Sequence, residues 1–341
     1  MKPLTREQVR RVIRGPWDRP AGCRVPMIIH MWVDPVTFGE HKARAEALLA
    51  AYPCDVQIIG INMPAAVSED PEGYAWVKGG AVNASGALDS SVAIERFEDM
   101  DRIEQEFPRV RPDIVLPWKP EDDGRYRLGL WWYCLFERHW SLRGMENALT
   151  DFYLYPEETH RLYGHLTDFY CETIVHAHEQ GHLDGIMFSD DIGQQTGPFF
   201  SVKIFDEFYR PYYTRLCRTI HDLGMEVWLH SCGNIQPLIP PLIECGFDVL
   251  HPIQKYTMDE REIARLFGRD ICILGGMDVQ QTIPWKPAED VRKEVRFMYD
   301  TYLAESSRFM ITAGNGITPD CRIDALEAFL DESYRYRNPD L

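Results

Sequence analysis

The alternation of strand-like and helix-like segments most constrains how this chain of 341 residues can fold. Short runs rich in β-branched residues recur along the sequence, and helical patterns lie between them. Alternation of this kind favours a parallel sheet that is buried on both faces, and eight repeats predict a single (β/α)8 TIM barrel of the α/β class. The predicted strands are residues 25–30, 54–62, 128–136, 184–190, 226–231, 247–252, 270–275 and 308–313.

The stretch between the second and third predicted strands is longer than a barrel needs. Residues 63–127 carry turn signals at Gly79-Gly80 and at 83–86, which favours an insertion or lid over the barrel mouth. A capping-box pattern from Thr5 to Gln8 predicts an additional helix before the first strand. No internal repeat or low-complexity segment is visible. One domain over residues 1–341 is therefore the economical prediction.

Capping residues mark the expected starts of other helices. Thr37 and Glu40 form a second capping-box pattern. Ser201 predicts the N-cap of a helix that runs to Gly224 with a kink at Pro211. Three further helix starts are predicted at Pro156, Pro287 and Pro319-Asp320.

Composition restricts the partners and the compartment. A net charge of −17 and a pI of about 5.1 argue against nucleic acid or an anionic membrane surface, since both bind clustered positive charge. No apolar run approaches about 18 residues, and the first residues lack the apolar stretch of a secretory signal. Nine cysteines without paired spacing suit a reducing compartment. We therefore expect a cytoplasmic protein.

Polar side chains follow nearly every predicted strand. In TIM barrels the functional residues lie at the C-terminal ends of the strands. A single polar residue there is more often structural, but a rim built only for stability has no need of ionisable groups at almost every position. We expect Glu137, Asp190, His251 and Asn315 to be catalytic and to line one cavity with His230 and Cys232. The complete set at the strand ends is His30, Asn62, Glu137, Asp190, Asp191, His230, Cys232, His251, Gln254, Asn315 and Asp278, the last of which can instead cap a turn.

The run His230-Ser231-Cys232-Gly233-Asn234 carries the clearest chemical signal. Residues i and i+2 of a strand point to the same side, so the His230 imidazole and the Cys232 thiol can act together where the strand opens into a loop. Neutral histidine and cysteine thiolate are preferred ligands of zinc. Two ligands do not complete a site. Aromatic residues 131–133 and 199–200 could line a nearby apolar cavity, although most aromatics on barrel strands fill the core.

Seven motifs follow one another in the second half of the chain. They are Leu135-Phe136-Glu137-Arg138, Leu142-Arg143-Gly144-Met145-Glu146, Ser189-Asp190-Asp191-Ile192-Gly193, Phe208-Tyr209-Arg210-Pro211-Tyr212, His230-Ser231-Cys232-Gly233-Asn234, Gly275-Gly276-Met277-Asp278 and Gly314-Asn315-Gly316-Ile317-Thr318-Pro319. In order and spacing they resemble the uroporphyrinogen decarboxylase superfamily, and they are closer to its cobamide-dependent methyltransferases than to the true decarboxylases. The resemblance spans roughly residues 125–335 and also implies a single barrel.

The resemblance implies a zinc ion held by the His-x-Cys pair and by a cysteine in a Gly-Cys-Gly loop after the last strand. This sequence has Asn315 at that position. Cys321 lies six residues further on, at the expected N-terminus of the last helix, where the helix dipole favours thiolate. We therefore expect His230, Cys232 and Cys321 to be the metal ligands. Glu137, Asp190, Asp191 or His251 could replace Cys321, and a site without metal is the remaining alternative.

The same resemblance separates two chemistries. True uroporphyrinogen decarboxylases have an arginine-rich N-terminal loop that grips carboxylates, whereas residues 26–35 contain no arginine. The preferred function is a zinc-dependent methyltransferase acting between a small methyl donor or thiol and a corrinoid. Because the chain lacks an Asp-x-His-x-x-Gly motif, the corrinoid would arrive on a partner protein. The alternatives are a decarboxylase or lyase in which Asp190, Asp191 and His230 transfer protons, and a non-catalytic ligand-binding barrel. A homodimer is also open.

Overall fold

The computed structural model describes residues 1–15, 23–78, 92–306, 308–338 and 341. Within these residues, seven parallel strands form one sheet in the order β1-β4-β5-β6-β7-β8-β9, and β2 and β3 form a separate parallel pair. The α/β class and the parallel sheet agree with the prediction. The strands are β1 (Val56–Gly60), β2 (Ala65–Ser68), β3 (Ala75–Lys78), β4 (Tyr126–Trp131), β5 (Gly185–Ser189), β6 (Glu226–His230), β7 (Val249–His251), β8 (Cys272–Met277) and β9 (Phe309–Ala313).

Helices follow most of these strands and cover the sheet. Among the described residues, no helix combines the length and apolar character needed to cross a membrane. Short 3₁₀ segments occur at Ile29–Trp32, Pro35–His41, Phe97–Asp99 and Gln236–Leu238. The α-helices are α1 (Arg6–Arg14), α2 (Lys42–Ala51), α3 (Met100–Glu106), α4 (Phe136–Arg143), α5 (Met145–Leu154), α6 (Pro156–Gly181), α7 (Val202–Phe208), α8 (Arg210–Asp222), α9 (Ile239–Cys245), α10 (Glu260–Phe267), α11 (Thr282–Trp285), α12 (Ala288–Tyr302) and α13 (Ile323–Arg335).

The first predicted strand, residues 25–30, is reduced to one isolated bridge between Met27 and Ile311. The Ile311 N–H donates to the Pro26 carbonyl at 2.9 Å, and the Asp55 N–H donates to the Met27 carbonyl at 3.0 Å. The segment therefore bonds to β9 on one side and to the residue just before β1 on the other. It does not extend further because Ile28 leaves the extended region (φ −127°, ψ 32°) and a 3₁₀ segment begins.

The expected insertion region, residues 63–127, contains β2, β3, a 3₁₀ segment and α3 before β4 begins. The Ala65 N–H donates to the Tyr74 carbonyl at 3.0 Å, and β2 and β3 bond to each other in a sheet separate from the main one. The turn signals at Gly79-Gly80 and at 83–86 lie outside the described residues.

Local signals predicted some helix ends correctly. The Thr5 side chain and the Gln8 side chain form the predicted capping box of α1, and Ser201 accepts from the Ile204 N–H at the start of α7. The helix expected from Ser201 to Gly224 is instead divided at Tyr209, and Pro211 lies in the first turn of α8, where a missing N–H costs nothing.

Two predicted helix starts are wrong. The Thr37 box does not cap an α-helix, because Gly39 adopts φ 53° and the surrounding residues form a 3₁₀ segment. The last helix begins at Ile323 and not at Pro319-Asp320, so Cys321 precedes it.

Ion pairs bind helix α1 to the N-terminal ends of β5 and β6. Arg6 and Arg10 bond to Asp184 just before β5, at 2.7 and 3.0 Å. Arg10 and Arg14 bond to Glu226 at the start of β6, at 3.1 and 2.6 Å. The N-terminal ends of β5 and β6 thus carry structural ion pairs, and a functional site is expected at the C-terminal ends of the strands.

Candidate metal centre at the carboxyl ends of β5 and β6

Three potential metal ligands converge where β5 and β6 end. The nitrogen, sulfur and carboxylate atoms of His230, Cys232 and Asp191 all lie within 4.8 Å of one another. His230 Nε2 is 3.5 Å from Cys232 Sγ and 3.7 Å from Asp191 Oδ1. Asp191 is held in place because its Oδ1 accepts from the Cys232 N–H at 2.7 Å. One nitrogen, one sulfur and one carboxylate form a donor set that zinc accepts, and it leaves a coordination position open.

A hydrogen-bond chain fixes which nitrogen of His230 is free. His251 Nε2 lies 2.9 Å from the Ala313 carbonyl, which only accepts, so His251 Nε2 carries its proton. In the neutral ring His251 Nδ1 is then an acceptor, and it lies 2.7 Å from His230 Nδ1. His230 therefore donates through Nδ1 and turns an unprotonated Nε2 towards Cys232 and Asp191. This is the tautomer that a metal needs.

Burial keeps both histidines neutral. It lowers the pKa of His230 to about 4 and places the pKa of His251 well below the usual range, where the adjacent His230 adds to the effect. Burial also raises the pKa of the Cys232 thiol, and the Asp191 carboxylate reinforces this. In the protein without metal the thiol is therefore protonated, whereas a bound cation would favour the thiolate.

Two tryptophans enclose the histidine pair. The Trp32 ring stacks on His251 with centroids 5.1 Å apart, and it lies 5.4 Å from the His230 ring. Trp132 meets His230 edge-on at 5.6 Å and also contacts Trp32 at 5.6 Å. Trp32 is brought here by the 3₁₀ segment that replaces the end of the first predicted strand. Both tryptophan rings therefore cover part of the His230 ring.

An open cavity of about 240 Å³ lies in front of His230. A smaller cavity of about 70 Å³ lies beside it and shares Asn315 with it; Cys232 lines this second space. The larger cavity is lined by Trp32, Trp132, Tyr133, Glu137, Ser189, Asp191, His230 and Asn315.

Glu137 contributes a protonated carboxyl to the larger cavity. Burial raises the pKa of Glu137 to about 8, and the nearby carboxylates of Asp191 and Asp190 add to the rise. Ser189 Oγ donates to Glu137 Oε2 and accepts from the Tyr133 N–H at 3.0 Å. A carboxyl that keeps its proton at neutral pH can act as a general acid.

The sequence model of the uroporphyrinogen decarboxylase family matches residues 140–336, more than half of the chain. The chain belongs to the uroporphyrinogen decarboxylase family. No curated protein sequence matches it.

Solved structures similar to this family member include a methyltransferase from Methanosarcina mazei, with 13% sequence identity, a TM-score of 0.60, and coverage of 98% of this chain and 99% of that one. Xylanase B from Clostridium stercorarium F9 has 11% identity and a TM-score of 0.41 over 86% of this chain and 89% of its own. Rutinosidase from Aspergillus niger has 11% identity and a TM-score of 0.42 over 89% and 82%. The first of these likenesses shows the shared fold.

The structure places Asp190 away from the cavity. Its side chain is fully buried and accepts from the N–H groups of Leu135, Phe136 and Glu137 at 2.8–3.1 Å. Tyr213 Oη also donates to it at 2.6 Å. These donors satisfy the hydrogen-bonding capacity of the Asp190 carboxylate at the start of α4. Asp190 therefore holds the backbone of Glu137 in place and does not face the cavity itself. Because successive residues face opposite sides after β5, Asp191 is the acid that reaches the cavity.

Cys321 also does not join the converging ligands. It is buried just before α13, and its sulfur lies 3.8 Å from Thr318 Oγ1. The expected thiolate is contradicted as well, since burial raises the pKa of Cys321. Asn315, in contrast, lies at the site, and its Nδ2 donates to Cys232 Sγ at 3.5 Å.

Other strand-end residues serve neighbouring structure. His30 contacts the Leu49 carbonyl through Nε2 at 2.9 Å, in the direction of α2. Asp278 caps its turn by accepting from the Gln280 and Thr282 N–H groups at 2.8 and 3.0 Å, the alternative foreseen for it. Gln254 accepts from the Gly233 N–H at 2.6 Å and so holds the loop after Cys232. Asn62 is not among the residues that line either cavity.

Sequence reasoning missed Trp32 and Ser189. Trp32 lies in a 3₁₀ segment, and no periodic sequence pattern predicts that segment. Ser189 ends β5 just before two acidic residues, which are the stronger candidates for a site in the sequence. Of the predicted aromatic clusters, Trp132 and Tyr133 line the cavity, whereas Trp131 stacks on Phe188 in the core with centroids 5.2 Å apart.

Proposed function

We propose that this protein is a zinc-dependent methyltransferase that moves a methyl group between a small molecule and a corrinoid carried by a partner protein. The observation that carries the proposal is the convergence of His230 Nε2, Cys232 Sγ and the Asp191 carboxylate within 4.8 Å at the edge of a cavity. The donor set suits zinc, and the tautomer chain through His251 prepares the nitrogen ligand. The methyltransferase from Methanosarcina mazei, which has the same fold over almost its whole length, is compatible with this assignment.

Three side chains would hold the metal: Asp191, His230 and Cys232. When bound, zinc would supply Lewis acidity that keeps a thiol deprotonated or polarises an ether oxygen. In this proposal Asn315 replaces a further thiolate ligand and donates to the Cys232 sulfur. The closed barrel belongs to the same proposal, with residues 26–28 as the short eighth strand that joins β9 to the start of β1.

The remaining residues would position the substrate and manage its proton. The tryptophans cover part of the His230 ring, and Ser189 fixes the Glu137 carboxyl at the cavity wall. In transfer to a thiol, the sulfur bonds to the methyl carbon, the cobalt–carbon bond breaks, cobalt keeps the electron pair, and the thiol proton leaves. In the reverse use on a methyl ether, Glu137 can give its proton to the oxygen that loses the methyl group.

A lyase acting on a small carboxylate is the second candidate. The pKa of Glu137 near 8 favours it, because two adjacent carboxyl groups of which one is protonated suit proton transfer. Uroporphyrinogen itself is a poor fit. A substrate with many carboxylates would meet Glu137 and Asp191 in a cavity whose described lining residues include no arginine or lysine.

Cobalt absorbance tests the proposal. Zinc-loaded protein is mixed with a methylated or Co(I) corrinoid and a panel of thiols and methyl ethers, and we expect a cobalt absorbance change with at least one of them. Cys232→Ala should abolish the change, while the matched variant Cys321→Ala should retain it. No change with any compound, together with release of CO₂ from a carboxylate substrate, would contradict methyl transfer and favour the lyase.

A further inference from the structure

The charge of the larger cavity is one-sided. Among the residues that the structure describes, Glu137 and Asp191 are the acidic members of its lining, and no lysine or arginine lines it. Within the described chain, neither carboxylate has a lysine or arginine ion-pair partner, and Asp191 has only His230 at 3.7 Å. Of the two acids, Glu137 keeps its proton and offers a carboxyl oxygen as acceptor. Asp191 is therefore the acid whose negative charge a cation in the cavity would balance.

Aromatic rings form the wall beside these acids. Trp132 is 39% exposed although it contacts Trp32 and His230, so part of its ring faces the cavity. Tyr133 stands next to it with φ 69°, a left-handed conformation that is unusual for a tyrosine and that Ser189 stabilises by accepting its N–H. A tryptophan face next to carboxylates attracts organic cations through its quadrupole and through charge.

The wall also leaves one donor without an acceptor. Trp32 is 8% exposed, and its Nε1–H has no hydrogen-bond partner within the described residues. That nitrogen is itself buried, so a ligand in the cavity does not contact it. Recognition of a cation therefore depends on the exposed face of Trp132 and on the acids beside it.

The basic residues nearby do not line the larger cavity. The Arg138 guanidinium is buried and lies 5.5 Å from the centre of the Tyr133 ring. Lys255 lines the smaller cavity, and its Nζ bonds to Glu260 at 2.6 Å and lies 3.4 Å from Glu294. Among the described residues, an anionic substrate would thus find no lysine or arginine on the wall of the larger cavity.

We propose that the small substrate carries an alkylammonium group, which binds against Trp132 beside Glu137 and Asp191 while its thiol or ether group faces the metal centre. The reacting atom rests on the proposed function, but recognition of the cation does not, because it needs no metal and no corrinoid. The class comprises small amino-thiols, amino-ethers and their N-methylated forms.

Calorimetric titration of the metal-free full chain tests this with three probes. Choline, its neutral carbon isostere 3,3-dimethylbutan-1-ol, and the anion 2-hydroxyethanesulfonate share a hydroxyl end and differ in the charge of the other end. We expect choline to bind at least tenfold more tightly than the isostere and the anion to bind more weakly still. Equal affinities for choline and the isostere, a preference for the anion, or no binding of choline at millimolar concentration would each overturn the proposal.

Matched variants locate the binding. Trp132→Leu should weaken choline binding about tenfold, while Trp285→Leu, which removes a 65% exposed tryptophan that does not line the cavity, should leave it unchanged. Circular dichroism checks that each variant folds. Equal losses in the Trp132 and Trp285 variants would overturn the placement. Choline binding without any methyl transfer would reject the proposed function and support the cation site. Methyl transfer without choline binding would support the proposed function and reject the cation site.

Discussion

Replacement of His251 should weaken zinc binding although His251 itself is not a ligand. Its Nδ1 accepts the proton of His230 Nδ1 at 2.7 Å, and both rings are almost completely buried. In His251→Leu that buried N–H has no acceptor, which costs about 1–3 kcal/mol. His230 then gains by moving its proton to Nε2, and zinc must reverse this shift before it binds. The expected loss of zinc affinity is therefore about 10- to 100-fold, the range typical of outer-shell partners.

His251→Gln provides the matched control. A glutamine amide can accept from His230 Nδ1 through its oxygen and donate to the Ala313 carbonyl through its nitrogen, so we expect it to recover most of the affinity. Competition with a chromophoric zinc chelator at fixed pH measures the constants, and thermal unfolding checks the fold. Leucine and glutamine variants of equal affinity, or a leucine variant as tight as the unaltered protein, would refute the role of the tautomer.

Three further predictions concern stability. Asp55 is fully buried, accepts two hydrogen bonds from Arg24 and also accepts from the Leu4 and Met27 N–H groups. Asp55→Ala should therefore lower the free energy of unfolding, measured in urea, by about 3–5 kcal/mol, whereas Asp113→Ala at an exposed ion pair should change it far less. Equally small losses in both variants would show that Asp55 does not anchor residues 26–28. Tyr213→Phe removes the donor to buried Asp190 and should cost about 1–3 kcal/mol, and a neutral result would mean that the three amides suffice. Folding raises the pKa of Glu137 from 4.5 to about 8, so between these pH values unfolding releases the Glu137 proton. The free energy of unfolding of the metal-free protein should therefore fall as pH rises from about 4.5 to 8, by at most roughly 4–5 kcal/mol. Glu137→Gln should flatten that fall in unfolding curves measured across the pH range, and an unchanged slope would place the raised pKa elsewhere.

The sheet could be predicted from sequence because its strands are buried on both faces. Strands such as β5 and β6 are buried at every residue, and each carries a continuous apolar run in its middle, at residues 186–188 and 227–229. The first predicted strand failed for a local reason. Residues 25–28 carry the strand pattern, but at Ile28 the backbone leaves the extended conformation and enters the 3₁₀ segment that contains Trp32. No periodic pattern in the sequence predicts this change.

The juxtaposition of His230 and Cys232 could also be predicted, whereas the residues around them could be predicted only in part. The i, i+2 spacing of His230 and Cys232 requires nothing beyond strand geometry. His251 stands opposite His230 in the register between β6 and β7, so its contact follows once the strand order is known. Asp190 and Asp191 differ by which side of the chain they face, and that depends on the start of α4, a tertiary feature. Cys321 was misplaced because the last helix starts later than its proline suggested.

Zinc X-ray absorption spectroscopy of the purified protein tests the central claim most directly. The ligand set of Asp191, His230 and Cys232 contains one sulfur, so the spectrum should show a single Zn–S distance of about 2.3 Å with the other ligands being nitrogen or oxygen near 2.0–2.2 Å. Cys232→Ala should remove the sulfur signal, and Cys321→Ala should not change it. Two sulfur ligands, or a spectrum that depends on Cys321, or a protein that binds no zinc would contradict the account.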